Sequence, residues 1–277
     1  MSTPSPDFVA TALGGLHLDS VGAGPPALLW HSLFVDSRSW GEVIDAFAAY
    51  RRVIAIDGPA HGRSERIDHD FTLDDCAAAA IEVLDRLGID QPVDWIGNAW
   101  GGHVGIVVAA TGPARVRTLT TIGTPVQALS TRERLTKVAP LVRMYRLAGA
   151  TRYITRALSN ALLGADAAAA RPERAETIID VFRTADRTSM LHAMQSVMVH
   201  RQGLGDLLPR ITAPTLMLAA RDDAMGWQLS DAQSAVSTMP DGRAEVVAGT
   251  GHVSPLVIDA DVVVKTIVEF WTSVPEQ

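Results

Sequence analysis

The stretch Trp95-Ile96-Gly97-Asn98-Ala99-Trp100-Gly101-Gly102-His103 constrains this chain more than any other. Ahead of it, Pro92-Val93-Asp94-Trp95-Ile96 is a short apolar run of strand type; behind it, Val104-Gly105-Ile106-Val107-Val108-Ala109-Ala110 is apolar and long enough for a helix. A strand that turns into a helix over so few residues needs a sharp bend, and Gly97 and Gly101 allow the two backbones to approach closely there. The residue at the apex of the bend is Ala99. In a Gly-x-Nuc-x-Gly turn of this kind the apex carries a nucleophile, and alanine has none.

The surrounding sequence repeats the same alternation. Residues 15–22 alternate apolar and polar as a half-exposed edge strand would. Residues 27–30, and 53–56 within a strand expected over 52–57, are apolar on consecutive positions, which suits parallel strands covered on both faces. A helix is expected over 40–49. A second opens at Thr72-Leu73-Asp74-Asp75, with acidic residues in its first turn, and Gly88 closes it. Residues 116–122 form another strand. From 125 to about 204 the rhythm breaks into an Ala-, Arg-, Leu- and Met-rich stretch, with helices predicted over 132–147, 153–163, 175–184 and 189–199, and a helix end or loop at 167–170. A strand over 211–220 restores the sheet, followed by a helix near 227–239, a strand at 244–247 and a helix over 260–271. The expectation is an α/β fold: a mostly parallel central sheet of about eight strands flanked by helices. Residues 1–124 and 205–277 would form the core, and 125–204 an inserted helical cap.

Composition narrows the partners. The net charge of -7 leaves no basic footprint for nucleic acid or an anionic membrane. The single cysteine, Cys76, excludes an internal disulfide and fits a reducing compartment. Residues 1–10 show neither the basic start nor the apolar core of a signal peptide, and no apolar run reaches spanning length. A cytoplasmic protein acting on a small molecule is expected, without cofactor or metal; a homodimer is compatible with the sequence.

Three more signals follow strand-like runs: His31-Ser32-Leu33, Asp223 in Ala220-Arg221-Asp222-Asp223, and His252 in Gly249-Thr250-Gly251-His252, 29 positions after Asp223. A nucleophile position, an acid and a histidine in that chain order, each past a strand end, would meet at one edge of a parallel sheet. There the histidine would move the proton and the carboxylate would orient it. Asp222 competes with Asp223 and is read as its turn-forming neighbour.

In this order the motifs resemble the α/β-hydrolase superfamily over nearly the whole chain. The loop at His31-Ser32-Leu33, with Trp40 nine residues on, is similar to that family's His-Gly-x loop, and Asp57-Gly58-Pro59-Ala60-His61-Gly62-Arg63-Ser64 to its Asp-x-Pro-Gly-His-Gly-x-Ser loop. The resemblance implies His252 as base, Asp223 as acid, Ala99 at the nucleophile position, and the Leu33 and Trp100 N–H groups as an oxyanion hole. The departures are Ser32 and Ala60, each in place of a glycine, and Ala99 itself. At Ala60 the loop is expected to avoid positive φ.

The alanine has two readings. Either a nucleophile, usually serine, has been exchanged for alanine in a variant that binds substrate without turning it over, or alanine is native. In the second case the His252–Asp223 pair does acid–base work without a covalent intermediate, or the pocket only binds a ligand. Ser32, Ser64 and Ser254 stand in nearby loops but on no strand–turn–helix bend, and read as turn or cap serines. Asn98 should point away from the pocket. His31 and His61 read as loop braces, and His103, one turn past Ala99, as a packing or pocket residue. Scattered histidines give no metal site, and the glycines lack dinucleotide or phosphate-loop spacing. A small or medium, mostly apolar ester, lactone or carbon–carbon substrate is expected. It would be lined by His31, Ser32, Met144, Met194, Met198, Trp227 and Val253, with Met225 and Gly226 at the rim. Met190, Met194 and Met198 recur every four residues, a spacing that equally serves core packing.

Overall fold

The computed structural model describes residues 7–224 and 226–275; Met225 and most of the N-terminal stretch read for a signal peptide lie outside the described residues. Eight strands form one sheet: β1 (Phe8–Thr11), β2 (Gly14–Val21), β3 (Pro26–Trp30), β4 (Arg52–Ile56), β5 (Val93–Asn98), β6 (Val116–Ile122), β7 (Thr215–Ala220) and β8 (Gly242–Val247). Their order is β1-β2-β4-β3-β5-β6-β7-β8; β2 runs antiparallel to β1 and β4, and every other pairing is parallel. Parallel strands put all their carboxyl ends on one edge, so the loops after β3 to β8 gather there.

Side chains alternate across the buried strands. In β3, Leu28 and Trp30 join the apolar cluster under α2 (Leu73–Arg86) and α3 (Trp100–Thr111). Ala27 and Leu29 join the opposite cluster under α1 (Glu42–Ala48) and the C-terminal helix α12 (Ala260–Ser273). This two-sided cover is why the strands read as continuous apolar runs. Thr72 caps α2 in a capping box with Asp75, which satisfies two N–H groups that the first turn leaves open.

Two strand expectations need correction. Residues 15–22 are not the sheet edge, because β1 pairs outside β2 across the Ala12-Leu13 turn; four residues are too few for their alternation to stand out in the sequence. β7 starts at Thr215 rather than 211, since Pro214 has no N–H to give to a ladder.

Between β6 and β7 every described helix belongs to one insertion: α4 (Thr131–Glu133), α5 (Ala139–Ala148), α6 (Arg152–Leu162), α7 (Gly164–Ala170), α8 (Pro172–Thr184) and α9 (Arg187–Met194). The single helix predicted over 132–147 is interrupted by a π turn, Arg134–Val138. Pro140 explains the widening: in α register its ring would strike the carbonyl of Thr136. A second π turn, Gln195–Val199, extends α9, and nothing in its sequence accounts for it. α8 begins at Pro172, three residues earlier than expected, because proline fits a first turn. The insertion does not pack as a separate body: Tyr145, Phe182, Met190 and Met194 share one cluster with Trp30 and Trp100. After β7 come α10 (Leu229–Val236), shorter than predicted at both ends, and, past β8, α11 (Pro255–Ile258). No helix among the described residues is long and apolar enough to cross a membrane.

Candidate active site

Ala99 stands alone between β5 and α3 with φ 46° and ψ -100°, a conformation L-residues rarely adopt. Its N–H donates to Ile122 O (2.8 Å). The flanking glycines are obligatory. A Cβ on Gly101 would lie 1.8 Å from Trp30 O, and one on Gly97 2.2 Å from the backbone of Gly101 and Gly102. The Gly101 N–H in turn donates to His31 O (3.1 Å), and Trp95 Nε1–H to Gly101 O (3.0 Å), so the bend is tied to β3 and β5.

The expected acid and base meet. His252 Nδ1–H donates to Asp223 Oδ2 at 2.7 Å, both residues buried. With a carboxylate accepting at Nδ1, the tautomer is fixed and Nε2 is left as the basic nitrogen. Asn98, the residue before Ala99, donates from Nδ2 to Ile122 O (3.0 Å) and to His252 O (2.7 Å). The histidine backbone is thus pinned to the elbow itself. Gly123, just past β6 with φ 57°, leaves room for the imidazole: a Cβ there would come 3.1 Å from His252 Nδ1. The turn under His252 is closed by Ser254, whose Oγ accepts from Thr250 N and Gly251 N at 2.9 Å each. Ser254 is therefore committed to that turn, as Ser64 is to the Asp57 loop through its bond to Asp57 O (2.5 Å).

On the other side of Ala99, the N–H groups of Leu33 and Trp100 have no acceptor among the described residues. The loop that presents Leu33 is held by two histidines. His31 donates from Nδ1 to Ser32 O (2.7 Å) and accepts at Nε2 from Gly58 N (2.8 Å). His61 donates from Nδ1 to Pro59 O (2.8 Å) and accepts at Nε2 from Phe34 N (3.1 Å). Each ring must be neutral to accept. Burial drives both pKa values down, His61 to about 3, with its neighbour His31 adding to the fall. Both rings also pack on Trp100, at centroid distances of 5.5 and 5.0 Å. Ala60 corrects an expectation: it takes φ 66°, in the left-handed region. The tight turn closed by His61 N to Gly58 O (3.1 Å) imposes that conformation, and alanine bears its cost.

Ser32, Trp227, Val253 and Met194 are buried near this edge or in the cluster below the insertion, and Met198 is half-buried. Val253 is engaged through its backbone, donating to Leu162 O (2.8 Å) at the end of α6, so the insertion is bonded to the His252 loop. Met144 departs from expectation: it is 39% exposed, because α5 turns Val142 and Tyr145 inward and the two residues between them face out. His103 donates from Nε2 to Pro125 O (2.8 Å), and burial holds its pKa well below the usual value. Access is narrow, with Ala99 5% and His252 8% exposed. Two cavities, one of about 200 Å³ between the Ala60–Arg66 loop and the insertion and one of about 440 Å³ on the insertion, are not lined by Ala99, Asp223 or His252. Among the described residues no cluster of His, Cys, Asp and Glu could hold a metal ion.

Asn98 and Gly123 escaped the sequence reading as supports of the histidine. Asn98, expected to point away from the pocket, bonds to His252 O, and nothing in its neighbourhood announced a partner 154 positions away. A glycine directly after a strand was the available signal for Gly123.

Comparisons with known proteins agree with this architecture. The chain aligns with the putative carbamate hydrolase RutD of Stutzerimonas stutzeri at 29% identity, covering 83% of this chain and 85% of that one. Over the first curated relatives it spans only 26% to 39% of their length. Among solved structures, a thermophilic esterase from Thermogutta terrifontis superposes with TM-score 0.86 at 23% identity, covering 96% of this chain and 98% of that one. The enol-lactonase from Burkholderia xenovorans LB400 gives 0.85 at 22% identity, covering 96% and 99%. At such identities these two likenesses establish the fold. The model of the alpha/beta hydrolase family matches residues 27–266, and the chain belongs to that family.

Proposed function

We propose that this chain carries the machinery of an acyl-bond hydrolase, for a carboxylic ester, lactone or related carbon–carbon bond, in a form whose nucleophile position holds alanine. The observation that carries this reading is the His252–Asp223 bond of 2.7 Å, braced through Asn98 to the residue before Ala99. With serine at 99, His252 Nε2 would take the hydroxyl proton as Oγ attacks the carbonyl carbon. Asp223 would stabilise the imidazolium, and the Leu33 and Trp100 N–H groups would receive the oxyanion. His252 would then return the proton to the leaving group, and water would repeat the sequence to release the acid. With alanine at 99 no acyl-enzyme forms. In a triad acting as a unit, losing the nucleophile costs up to about 10⁶ in kcat. Residues 125–204 serve as the cap that closes over the substrate, and the reaction suits a cytoplasmic, cofactor-free protein.

A second reading rests on the dyad being intact without its nucleophile: His252 would activate water directly, or the pocket would hold a ligand unreacted. A fluorophosphonate probe separates the two. Ala99→Ser is expected to gain one stoichiometric phosphonyl adduct on the introduced hydroxyl, which His252→Ala abolishes. No adduct on a folded Ala99→Ser chain would overturn the hydrolase reading and leave the second.

A further inference from the structure

Arg174 of α8 reaches out of the insertion to two loops of the core. Its Nη2 shares its hydrogens among three carbonyls: Ser39 O (3.2 Å), Trp40 O (3.0 Å) and Leu256 O (2.9 Å). The first two lie on the loop after β3 that presents Leu33, here the oxyanion loop. The third lies in α11, directly past the turn that carries His252. The Arg174 side chain is 15% exposed. Glu42, half-exposed, stands 3.6 Å from its Nη1 and is held more closely by Arg171 (2.7 Å). What Arg174 grips firmly is therefore backbone. Gly41, with φ 52°, makes the notch for it: a Cβ there would come 2.2 Å from Arg174 Nη1.

Both loops are stiff between the guanidinium and the site, so a spacing fixed at Arg174 is passed on. On the base side, Leu256 N donates to Val253 O (3.0 Å), and Ser254 Oγ ties the turn back to Thr250 N and Gly251 N. On the oxyanion side, Trp40 N donates to Ser37 O (3.1 Å), Ser39 Oγ to Asp36 O (2.7 Å) and Ser37 N to Asp57 Oδ1 (2.9 Å). The insertion also holds the base loop where Leu162 O accepts from Val253 N (2.8 Å) and Ser254 N (3.1 Å). Those two bonds serve one loop; Arg174 joins the two.

We infer that Arg174 is a positioning residue: seated on its three carbonyls, it sets the separation of the oxyanion loop from the His252 loop, so that the site is assembled only with the cap closed. The separation matters because Leu33 N–H and His252 Nε2 serve one acyl group, and a misplacement of about 1 Å can cost 10²-fold in rate. Ala99 is 5% and His252 8% exposed, so a substrate reaches them by displacing the cap, and the return of Arg174 to its carbonyls restores the spacing. Guanidinium suits the task, because its fork is planar, rigid and weakly hydrated. The inference rests on the hydrolase reading for what the spacing serves, but the spacing can be followed without turnover.

The first arm is proton NMR of the Ala99 chain. The His252 Nδ1–H held by Asp223 resonates far downfield and is identified by its loss in His252→Ala. Arg174→Gln should move or broaden this resonance, because the loop loses an anchor. Arg174→Lys, which keeps the charge but loses the fork, should change it less, and decides the matter should Arg174→Gln not fold. The second arm is kinetic, in the Ala99→Ser background. There Arg174→Gln should lower kcat about tenfold or more with KM within about twofold, and Arg174→Lys should recover part of the loss. An unaltered resonance in the folded variant, or a kcat unchanged while only KM or urea stability shifts, would overturn the inference. Absence of turnover in Ala99→Ser would sink the hydrolase reading alone, with the resonance still deciding Arg174.

Discussion

Replacing Ala99 by glycine should stabilise this protein, the opposite of what glycine does in ordinary structure. At φ 46° and ψ -100° the Cβ of Ala99 stands in a region that costs an L-residue about 1–3 kcal/mol. Glycine removes that strain but gives the unfolded chain more freedom, worth about 0.4–1 kcal/mol against folding. Little packing is lost, since the methyl belongs to neither apolar cluster. The balance is a gain of about 1 kcal/mol, or about 2–4 °C in Tm for a chain of this size. Ala157, exposed on α6, supplies the control, and Ala157→Gly should cost about 1 kcal/mol. Urea unfolding of the three proteins at one pH, with matching m-values, reads both changes. If Ala99→Gly loses as much stability as Ala157→Gly, residue 99 is not strained and the elbow geometry is wrong.

Gly101→Ala should do the reverse of Ala99→Gly, because its Cβ would meet Trp30 O at 1.8 Å; little soluble protein, or a loss above about 3 kcal/mol, is expected in the same urea assay. Acid should destabilise the chain well before its carboxylates protonate. Buried neutral His31, His61 and His103 all have folded pKa values below the unfolded value of about 6.5, so the unfolded state takes up more protons below that pH. Their stabilisation is complete above about pH 6.5 and is lost, at up to about 1.4 kcal/mol per pH unit per histidine, as the pH falls toward each folded value, which for His61 is about 3. Urea midpoints at pH 7.5, 5.5 and 4.5 would show it, and a flat profile would contradict neutral accepting rings. Asn98→Ala in the Ala99→Ser background should lower kcat by about tenfold or more with little change in KM, since it frees the His252 backbone from the elbow. Equal changes in both constants would assign Asn98 a substrate role instead.

What could be read in the sequence follows the range of the physics. The elbow was legible because Gly97, Ala99 and Gly101 act within five residues, and the strands because continuous apolar runs have one meaning in a sheet covered on both faces. The His252–Asp223 meeting was legible only through order, each residue following a strand whose carboxyl end the parallel topology sends to one edge. Contacts that depend on distant carbonyls were not. Asn98 to His252 O, Leu162 O to Val253 and Gln127 O to Arg201 use backbone atoms, which every residue has and no sequence marks. Ala60 failed for a related reason: the turn from Gly58 to His61 decides its φ, and the local preference of alanine loses to it. Met144 is exposed because α5 turns Val142 and Tyr145 inward, and its apolar character alone did not reveal which face of that helix is covered.

The central claim is that everything needed for acyl transfer is in place around Ala99 except one oxygen. Steady-state hydrolysis of short aryl esters by Ala99→Ser, beside the unaltered chain and the double variant that also carries His252→Ala, tests it most directly. The account predicts turnover that appears with the serine and is lost again with the histidine. Rates for Ala99→Ser no higher than those of the alanine chain, in a protein shown to be folded, would contradict it.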